Sequence, residues 1–240
     1  MPYPQAFFDL QLTFARKIAA LSGRPYQEVV LRDTALYRIL GLDWTFDAAH
    51  PVWQEYMQGL QGKHSDAEWT NRFYLARYDH LPKHPTPNWG CFAYDYLPEK
   101  QAIHIHFANV DTSGYGPLSS QRQSARMEEL RSMFISIKQE HPDAAEVRGG
   151  SWLYNRSAYK RLFPPEYGAS ARPDTPHLVA RALWGQFLRY DEQINEESTG
   201  LFLQRLDVLE EANQYAGCFP YQVLLTRAPI ALFYRFYGID

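Results

Sequence analysis

The hydrophobic pattern of this chain changes its period across residues 80–89, and that change limits what the chain can fold into. Before this segment, apolar residues recur every three or four positions, which is typical of amphipathic helices. After it come short runs rich in β-branched and aromatic residues, which favour strands. The segment itself holds three prolines in ten residues, and proline removes backbone donors. We therefore predict a helical subdomain over residues 1–79, a linker over residues 80–89 and a mixed domain over residues 90–240.

Proline and capping residues divide the first region into separate helices. Pro25 begins a helix that we expect to run over residues 25–40. Pro51 opens another helix, and Ser65 with Glu68 has capping-box spacing ahead of the next one. The first region is therefore predicted to contain four helices in succession and no strand.

The second region mixes strands with helices. We expect strands over residues 90–96, 102–110, 145–154 and 178–190, and helices over residues 120–140, 157–162 and 195–211. Ser120 and Gln123 have capping-box spacing at the start of the longest helix. This order indicates an α+β (α/β) class, in which a mixed β-sheet is flanked by helices and follows the N-terminal helical subdomain.

The charge and cysteine content of the chain exclude several classes of protein. The chain has 24 Lys and Arg against 27 Asp and Glu, a net charge of −3. Coating nucleic acid or an anionic membrane needs a strong positive field, so we expect neither as a partner. Cys91 and Cys218 are too few for a disulfide framework, which favours a reduced, cytoplasmic setting. We expect a small-molecule substrate, and a homo-oligomer is compatible with the sequence.

The loop-to-helix junction at residues 111–126 has the features of an anion site. The first turn of a helix leaves about four N–H groups unpaired and carries about half a positive charge. Glycines allow close backbone approach, and arginines four residues apart share one helix face. The residues that would form this phosphate cradle are Gly114, Gly116, Ser119, Ser120, Arg122, Ser124 and Arg126. The alternative is an ordinary capped helix with two solvated arginines, since no nucleotide-specific glycine motif is present.

His104 and His106 alternate along a predicted strand, so both point to one face of the sheet. Imidazole titrates near neutral pH, and either histidine would suit a general base that deprotonates an amine or a hydroxyl. Two histidines on one face can also share a metal if further ligands are near, and His80, His84 and Cys91 are close in sequence. The spacing matches no zinc signature. We therefore expect no metal and keep a metal-dependent enzyme as a further alternative.

A glycine pair interrupts the strand predicted over residues 145–154. Gly149 and Gly150 indicate a bulge or a ligand lying close to the backbone. The alternative is a bend packed against Trp184. No nucleophile-elbow motif surrounds the following Ser151, so we do not expect it to be a nucleophile.

The order of hairpin, glycine-bearing loop, amphipathic helix and strand is followed by Asn155, Ala158, Leu162 and Phe163. This arrangement resembles the core of the GNAT superfamily of acyl-coenzyme A-dependent N-acyltransferases. The resemblance covers about residues 90–168. It implies a V-shaped opening between two neighbouring parallel strands, beside the long helix, where coenzyme A or acyl-coenzyme A binds.

The resemblance also implies roles for individual residues. Backbone donors over residues 120–124, with the two arginines of the junction, would hold the pyrophosphate of coenzyme A. Asn155 would contact the pantetheine arm, and Tyr159 or Tyr154 would protonate the leaving thiolate. For Asn155 the alternative is a turn at the strand end, and for the tyrosines it is packing in the core.

The sequence departs from the family in two places. Ser124 and Arg126 stand at positions of the cofactor loop where the family has small residues, glycine or alanine, and Leu162 stands where a catalytic tyrosine is frequent. We therefore expect an acyltransferase-like protein with an acyl-coenzyme A donor and a small amine or hydroxyl acceptor, provided that the anion site is vacant. The alternative is a non-catalytic small-ligand-binding or interaction protein on the same fold.

Overall fold

The computed structural model describes residues 2–60, 65–81 and 88–239. The chain divides into two compact units. Unit 1 contains the N-terminal helices and Thr175–Tyr221. Unit 2 contains the chain from the linker to Asp174, together with the C-terminal tail that follows Tyr221. The sequence placed residues 90–240 in one domain, whereas Thr175–Tyr221 lies in the helical unit. Residues 82–87 of the expected linker lie outside the described residues, and His84 is one of them.

Helices form the N-terminal part of unit 1, as predicted. They are α1 Gln5–Ser22, α2 Tyr26–Asp33, α3 Leu36–Ile39, α4 Pro51–Leu60 and α5 Asp66–Arg77. Helix α1 ends at Gly23, which adopts the left-handed conformation (φ +70°) that glycine tolerates best. The Ser65 hydroxyl accepts the Glu68 N–H at 3.2 Å, so the predicted cap of α5 is confirmed.

The helix predicted over residues 25–40 is wrong as one element, because Thr34 separates α2 from α3. Thr34 has an extended backbone, and its hydroxyl donates to the Val30 carbonyl at 2.5 Å. The next N–H, that of Ala35, donates to the side-chain oxygen of Gln11 at 2.9 Å. A tertiary acceptor on α1 thus replaces the helical one, which the local sequence could not indicate.

Thr175–Tyr221 adds α9 Arg181–Trp184 and α10 Glu196–Asp207 to unit 1. The strand predicted over residues 178–190 is wrong, because α9 and a 3₁₀ turn at Gly185–Phe187 occupy this stretch. The buried side chains of α9 and this turn are Leu183, Trp184, Gln186 and Phe187, whose spacing of three and four residues belongs to a helical surface. The predicted helix over residues 195–211 is confirmed as α10, which Asn195 caps through the Ser198 N–H at 3.2 Å.

Unit 2 is built on a five-stranded mixed sheet. Its strands are β1 Phe92–Leu97, β2 Ala102–Phe107, β3 Glu146–Ser151, β4 Arg172–Asp174 and β5 Val223–Pro229, in the order β1-β2-β3-β5-β4. Only the β2–β3 pair is parallel among the pairs that the described residues form. The helices of this unit are α6 Gln123–Glu140, α7 Ser157–Lys160, α8 Pro165–Ala169 and α11 Ile230–Tyr237. The predicted α+β class, with a mixed sheet flanked by helices, is confirmed.

Alternation along β2 sorts its side chains onto two faces, as predicted. Ile103 and Ile105 are buried in the core of unit 2, which α6 completes with Leu130, Met133, Phe134 and Ile137. His104 and His106 point to the opposite face, where they are less buried. In the described parts of the chain, no helix is long and apolar enough to cross a membrane.

Gly149 in β3 lies directly against two tyrosine hydroxyls. The hydroxyls of Tyr154 and Tyr167 are 2.9 Å apart and hydrogen-bonded in the core. A Cβ atom added to Gly149 would lie well inside van der Waals contact of both oxygens. The close approach anticipated for this glycine pair is therefore made by side chains of the protein itself.

Replacing Gly149 with alanine should destabilise the protein by about 1–3 kcal/mol, because the new methyl group displaces a buried hydroxyl pair. Gly150→Ala is the matched control, since its added Cβ meets only the flexible end of Leu225 at 3.2 Å. We expect the control to change stability by less than about 1 kcal/mol. Urea unfolding of both variants measures the difference, and equal losses would contradict this packing argument.

Candidate functional site

The parallel strands β2 and β3 are joined at their beginnings and unpaired at their ends. They pair at Ala102–Glu146, Ile103–Val147 and His104–Arg148. Residues 105–107 of β2 and 149–151 of β3 make no pair with each other, although both strands continue there. We call these unpaired strand ends the β2–β3 opening. It lies at the carboxyl ends of the two strands, where ligands bind in many sheets with parallel strands.

The chain leaves β2 at the opening and returns to a helix start. Residues 108–119 form a loop, Ser120–Arg122 a 3₁₀ turn, and α6 begins at Gln123. The predicted capping box is wrong, because the Ser120 hydroxyl bonds the side chain of Gln121 at 3.2 Å. No side-chain cap is found for either the turn or α6 within the described residues. Backbone carbonyls accept there instead: the Arg122 N–H donates to the Ser119 carbonyl at 3.1 Å, and the Gln123 N–H donates to the Ser120 carbonyl.

A carboxylate occupies the point on which both arginines of this junction converge. Asp111 Oδ2 accepts from Arg122 Nε at 2.6 Å and is ion-paired with Arg126 Nη1 at 3.2 Å. Asp111 Oδ1 accepts the Ser113 N–H at 2.9 Å. The Asp111 side chain is only 2% exposed. Hydrogen bonds from Ser113 and the Arg122 guanidinium lower the pKa of Asp111 to about 2.

Arg126 extends this ion pairing into the core of unit 2. Its side chain is 3% exposed, and its Nη2 donates to Glu129 Oε1 at 2.5 Å. Glu129 Oε2 in turn accepts the Cys91 N–H at 3.0 Å, and Arg126 Nη1 lies 2.5 Å from the Cys91 sulfur. Gly90, with φ +57°, allows this approach, because a Cβ there would collide with the Glu129 carboxylate.

We call Asp111, Arg122, Arg126 and Glu129 the Asp111 network. Two guanidinium groups and two carboxylates alternate in it, so its formal charges cancel. The arginines share one face, as the sequence indicated, but they converge on the protein's own carboxylate. The alternative of two solvated arginines does not describe Arg126, which is buried. The network therefore offers no net positive charge to an incoming anion while Asp111 stays in place.

The remaining residues of the expected cradle surround this network. Gly114 adopts φ +82° with open space around it, and the Gly116 carbonyl accepts the Ser119 N–H at 2.9 Å. Ser124 is exposed on the first turn of α6. The Ser119 hydroxyl oxygen is buried and has no hydrogen-bond partner in the described structure.

The two histidines lie on the open face of the sheet, and His106 is at the β2–β3 opening. His106 is two residues beyond the last β2–β3 pair, its side chain is 47% exposed, and its Nε2 is 2.7 Å from Asp95 Oδ2. The rings of His104 and His106 are 4.7 Å apart. Burial, with the neighbouring His106 and Arg148, lowers the pKa of His104, which favours its neutral form. The described residues contain no group of three potential metal ligands.

Tyr154 and Tyr159 are packed in the core of unit 2. Besides the Tyr167 contact of Tyr154, the Tyr159 ring packs on Phe107 and Phe163, at centroid distances of 5.6 and 5.0 Å. Burial raises the pKa of both phenols, so both stay protonated. Their positions fit the packing alternative, since neither side chain reaches solvent.

Asn155 is exposed and ties two chain segments together. Its Nδ2 donates to the carbonyls of Trp152 at 2.7 Å and Gln222 at 2.8 Å. These bonds join the end of β3 to the residue before β5. Asn155 therefore serves as a turn former, with its amide nitrogen already engaged.

Sequence reasoning missed the partners of the predicted residues. Asp111 and Glu129 complete the arginine network, and Asp95 pairs with His106. Two signals were available. Glu129 follows Arg126 by three residues on one helix, a spacing that brings side chains together. Asp95 faces His104 in the hairpin register and is two residues from Ala93, the partner of His106, so it is a diagonal neighbour of His106.

Comparisons of this chain with family models, with curated proteins and with solved structures found no match. The function is therefore inferred from the geometry of the opening, the histidines and the Asp111 network.

Arg126→Met should lower the free energy of unfolding by about 3–5 kcal/mol, because it leaves the buried Asp111 carboxylate and the partly buried Glu129 carboxylate without their shared cation. Arg122→Met is the control, since Arg122 is 30% exposed and contacts only one of those carboxylates. We expect it to cost about 1 kcal/mol. Urea unfolding compares the two variants, and an equal or smaller loss for Arg126→Met would contradict the network.

The stability that Asp111 contributes should disappear in acid. Its pKa is about 2 in the folded chain and about 3.9 when unfolded, so the unfolded state binds the proton more readily. The contribution is fully present above about pH 5 and is lost as the pH falls towards 2. Asp111→Asn lacks this titration. We expect the difference in unfolding free energy between wild type and variant to shrink between about pH 6 and about pH 2. A difference that stays constant over this range would show that Asp111 makes no such contribution.

Proposed function

We propose that unit 2 binds an acyl-coenzyme A and transfers its acyl group to a small amine or hydroxyl. The observation that carries this proposal is the β2–β3 opening. Parallel strands that stop pairing beside a helix start would admit an extended thioester arm between their ends, with backbone donors nearby. The order of the elements supports the same proposal, since α6 connects β2 to β3 and β5 inserts between β3 and β4.

Asp111 occupies the arginine site that the sequence analysis required to be vacant. In this proposal the diphosphate of the donor therefore lies against backbone N–H groups of residues 120–124 while Asp111 stays in place. The first of these groups lie at the positive end of the helix dipole, while the Arg122 N–H already donates to the Ser119 carbonyl at 3.1 Å and the Gln123 N–H to the Ser120 carbonyl. Arg122 and Arg126 hold Asp111 in the resting chain and shape the loop that leads to this turn. The acyl group would then extend into the opening, towards His106.

His106 is the proposed general base, oriented by Asp95. A carboxylate bonded to one imidazole nitrogen fixes the ring and leaves the other nitrogen free to accept a proton. The acceptor nitrogen or oxygen attacks the thioester carbonyl while His106 takes its proton. The carbon–sulfur bond breaks, and the imidazolium returns the proton to the thiolate. His104, whose ring lies 4.7 Å from that of His106, has a lowered pKa and adds no positive charge beside the proposed base.

The setting we propose for this activity is cytoplasmic. Cys91 and Cys218 are both free and buried thiols, which a reducing compartment preserves. The substrates are small molecules, and the proposal requires no metal.

Calorimetry with coenzyme A and acetyl-coenzyme A tests the donor. We expect binding of both by the wild-type chain, and no heat together with no thermal shift would overturn the proposal. His106→Asn should then lower acyl transfer about 100-fold or more while donor affinity is unchanged, because it removes only the proton acceptor. The control is His177→Asn, which alters an exposed histidine of unit 1 and should leave transfer unchanged. Equal rates for the two variants would exclude His106 as the base.

A non-catalytic binding protein is the second candidate. The neutral Asp111 network and the buried tyrosines favour it, because they leave the helix start without free arginines and the opening without a phenolic acid. Trp44 favours it too: this side chain is 63% exposed, with the Arg38 guanidinium 4.3 Å from its ring. Tryptophan and arginine dominate protein-binding hot spots. The same calorimetry separates the candidates, since this one predicts a folded chain that does not bind coenzyme A.

A further inference from the structure

We infer that Asp111 is an internal substitute for a ligand phosphate, so that the Arg122–Arg126 site takes a phosphate or diphosphate once the carboxylate leaves. The inference deepens the proposed function and rests on it for the identity of the natural ligand. Independently of that ligand, the inference states that Asp111 sets the affinity of the Arg122–Arg126 site for anions.

The contacts of Asp111 are those that a phosphate oxygen would make. Guanidinium groups from two arginines converge on one oxygen, Asp111 Oδ2, at 2.6 and 3.2 Å. The other oxygen accepts a backbone N–H, that of Ser113. Paired guanidinium groups with backbone N–H donors are a common recognition set for phosphate as well as for carboxylate.

The site has more donors than the carboxylate satisfies. Arg126 Nε is buried without an acceptor, although the rest of that guanidinium is bonded. The buried hydroxyl of Ser119, just before the 3₁₀ turn, also lacks a partner within the described residues. Buried donors are nearly always paired in folded proteins, so each of these unpaired donors is available to the oxygen of a ligand. A phosphate has more acceptor oxygens than a carboxylate.

The charge balance explains why the resting chain would bind anions weakly. With Asp111 in place the network is neutral, and without it Arg122, Arg126 and Glu129 leave a charge of +1. Asp111 lies in the loop of residues 108–119 and not in β2 or α6, so it can leave without breaking a ladder of the sheet. An incoming phosphate competes with it for the same two guanidinium groups.

Asp111→Asn in the full chain tests this inference, with inorganic pyrophosphate as the calorimetric probe. Asparagine keeps an oxygen for the Ser113 N–H and removes the charge. We expect the dissociation constant of the variant for pyrophosphate to be at least about 10-fold lower than that of wild type. Adding Arg122→Gln to this variant should abolish the gain.

Asp143→Asn is the matched control. It makes the same change in net charge at an exposed residue beyond the other end of α6. If folded Asp111→Asn binds pyrophosphate no more tightly than Asp143→Asn, Asp111 is only a structural ion-pair partner and the inference is overturned. Should Asp111→Asn be unfolded alone, pyrophosphate must restore its fold by binding the native state. Failure to restore it overturns the inference as well.

The two proposals fail separately. If wild type does not bind coenzyme A and Asp111→Asn gains pyrophosphate affinity, the inference holds and the transferase proposal is lost for the native chain. If wild type binds coenzyme A and Asp111→Asn gains nothing, the inference alone is overturned.

Discussion

The ion pairs of Asp111 hold together the part of unit 2 on which every functional argument depends. A carboxylate with 2% exposure can stay ionised only if cations and N–H donors surround it, and Arg122, Arg126 and Ser113 do so. Through Arg126 and Glu129 the same interaction reaches the backbone before β1. The loop after β2, the start of α6 and the start of the hairpin are therefore one electrostatic assembly.

This assembly changes the meaning of the helix start beside the β2–β3 opening. Two converging arginines on a helix indicate an anion site, and the anion present is the protein's own. The opening, the Asp95–His106 pair and the uncapped turn favour an acyl-transfer site, while the neutral network favours a binding protein. The choice between these two functions depends on how readily an external anion replaces the Asp111 carboxylate between the two arginines.

Much of the fold was predictable where the determinants are local. The alternation along β2 and the cap of α5 depend on residues a few positions apart, and they appear as predicted. The predictions over residues 25–40 and 178–190 were wrong. In the first, the Gln11 side chain of α1 accepts the Ala35 N–H and ends the helix. In the second, the apolar residues fit a strand or a helix equally well by local pattern, and the burial of Trp184 in unit 1 decides for the helix.

The sequence by itself determined the α+β class, the two faces of β2 and the shared face of Arg122 and Arg126. It determined them because periodicity is a property of consecutive residues. Only the tertiary structure decided that Thr175–Tyr221 packs with the N-terminal helices, that Gly149 lies against two tyrosines, and that the arginines meet Asp111. Such contacts join residues from separate elements, and burial, which strengthens a charge pair and penalises an unpaired one, exists only once those elements have packed.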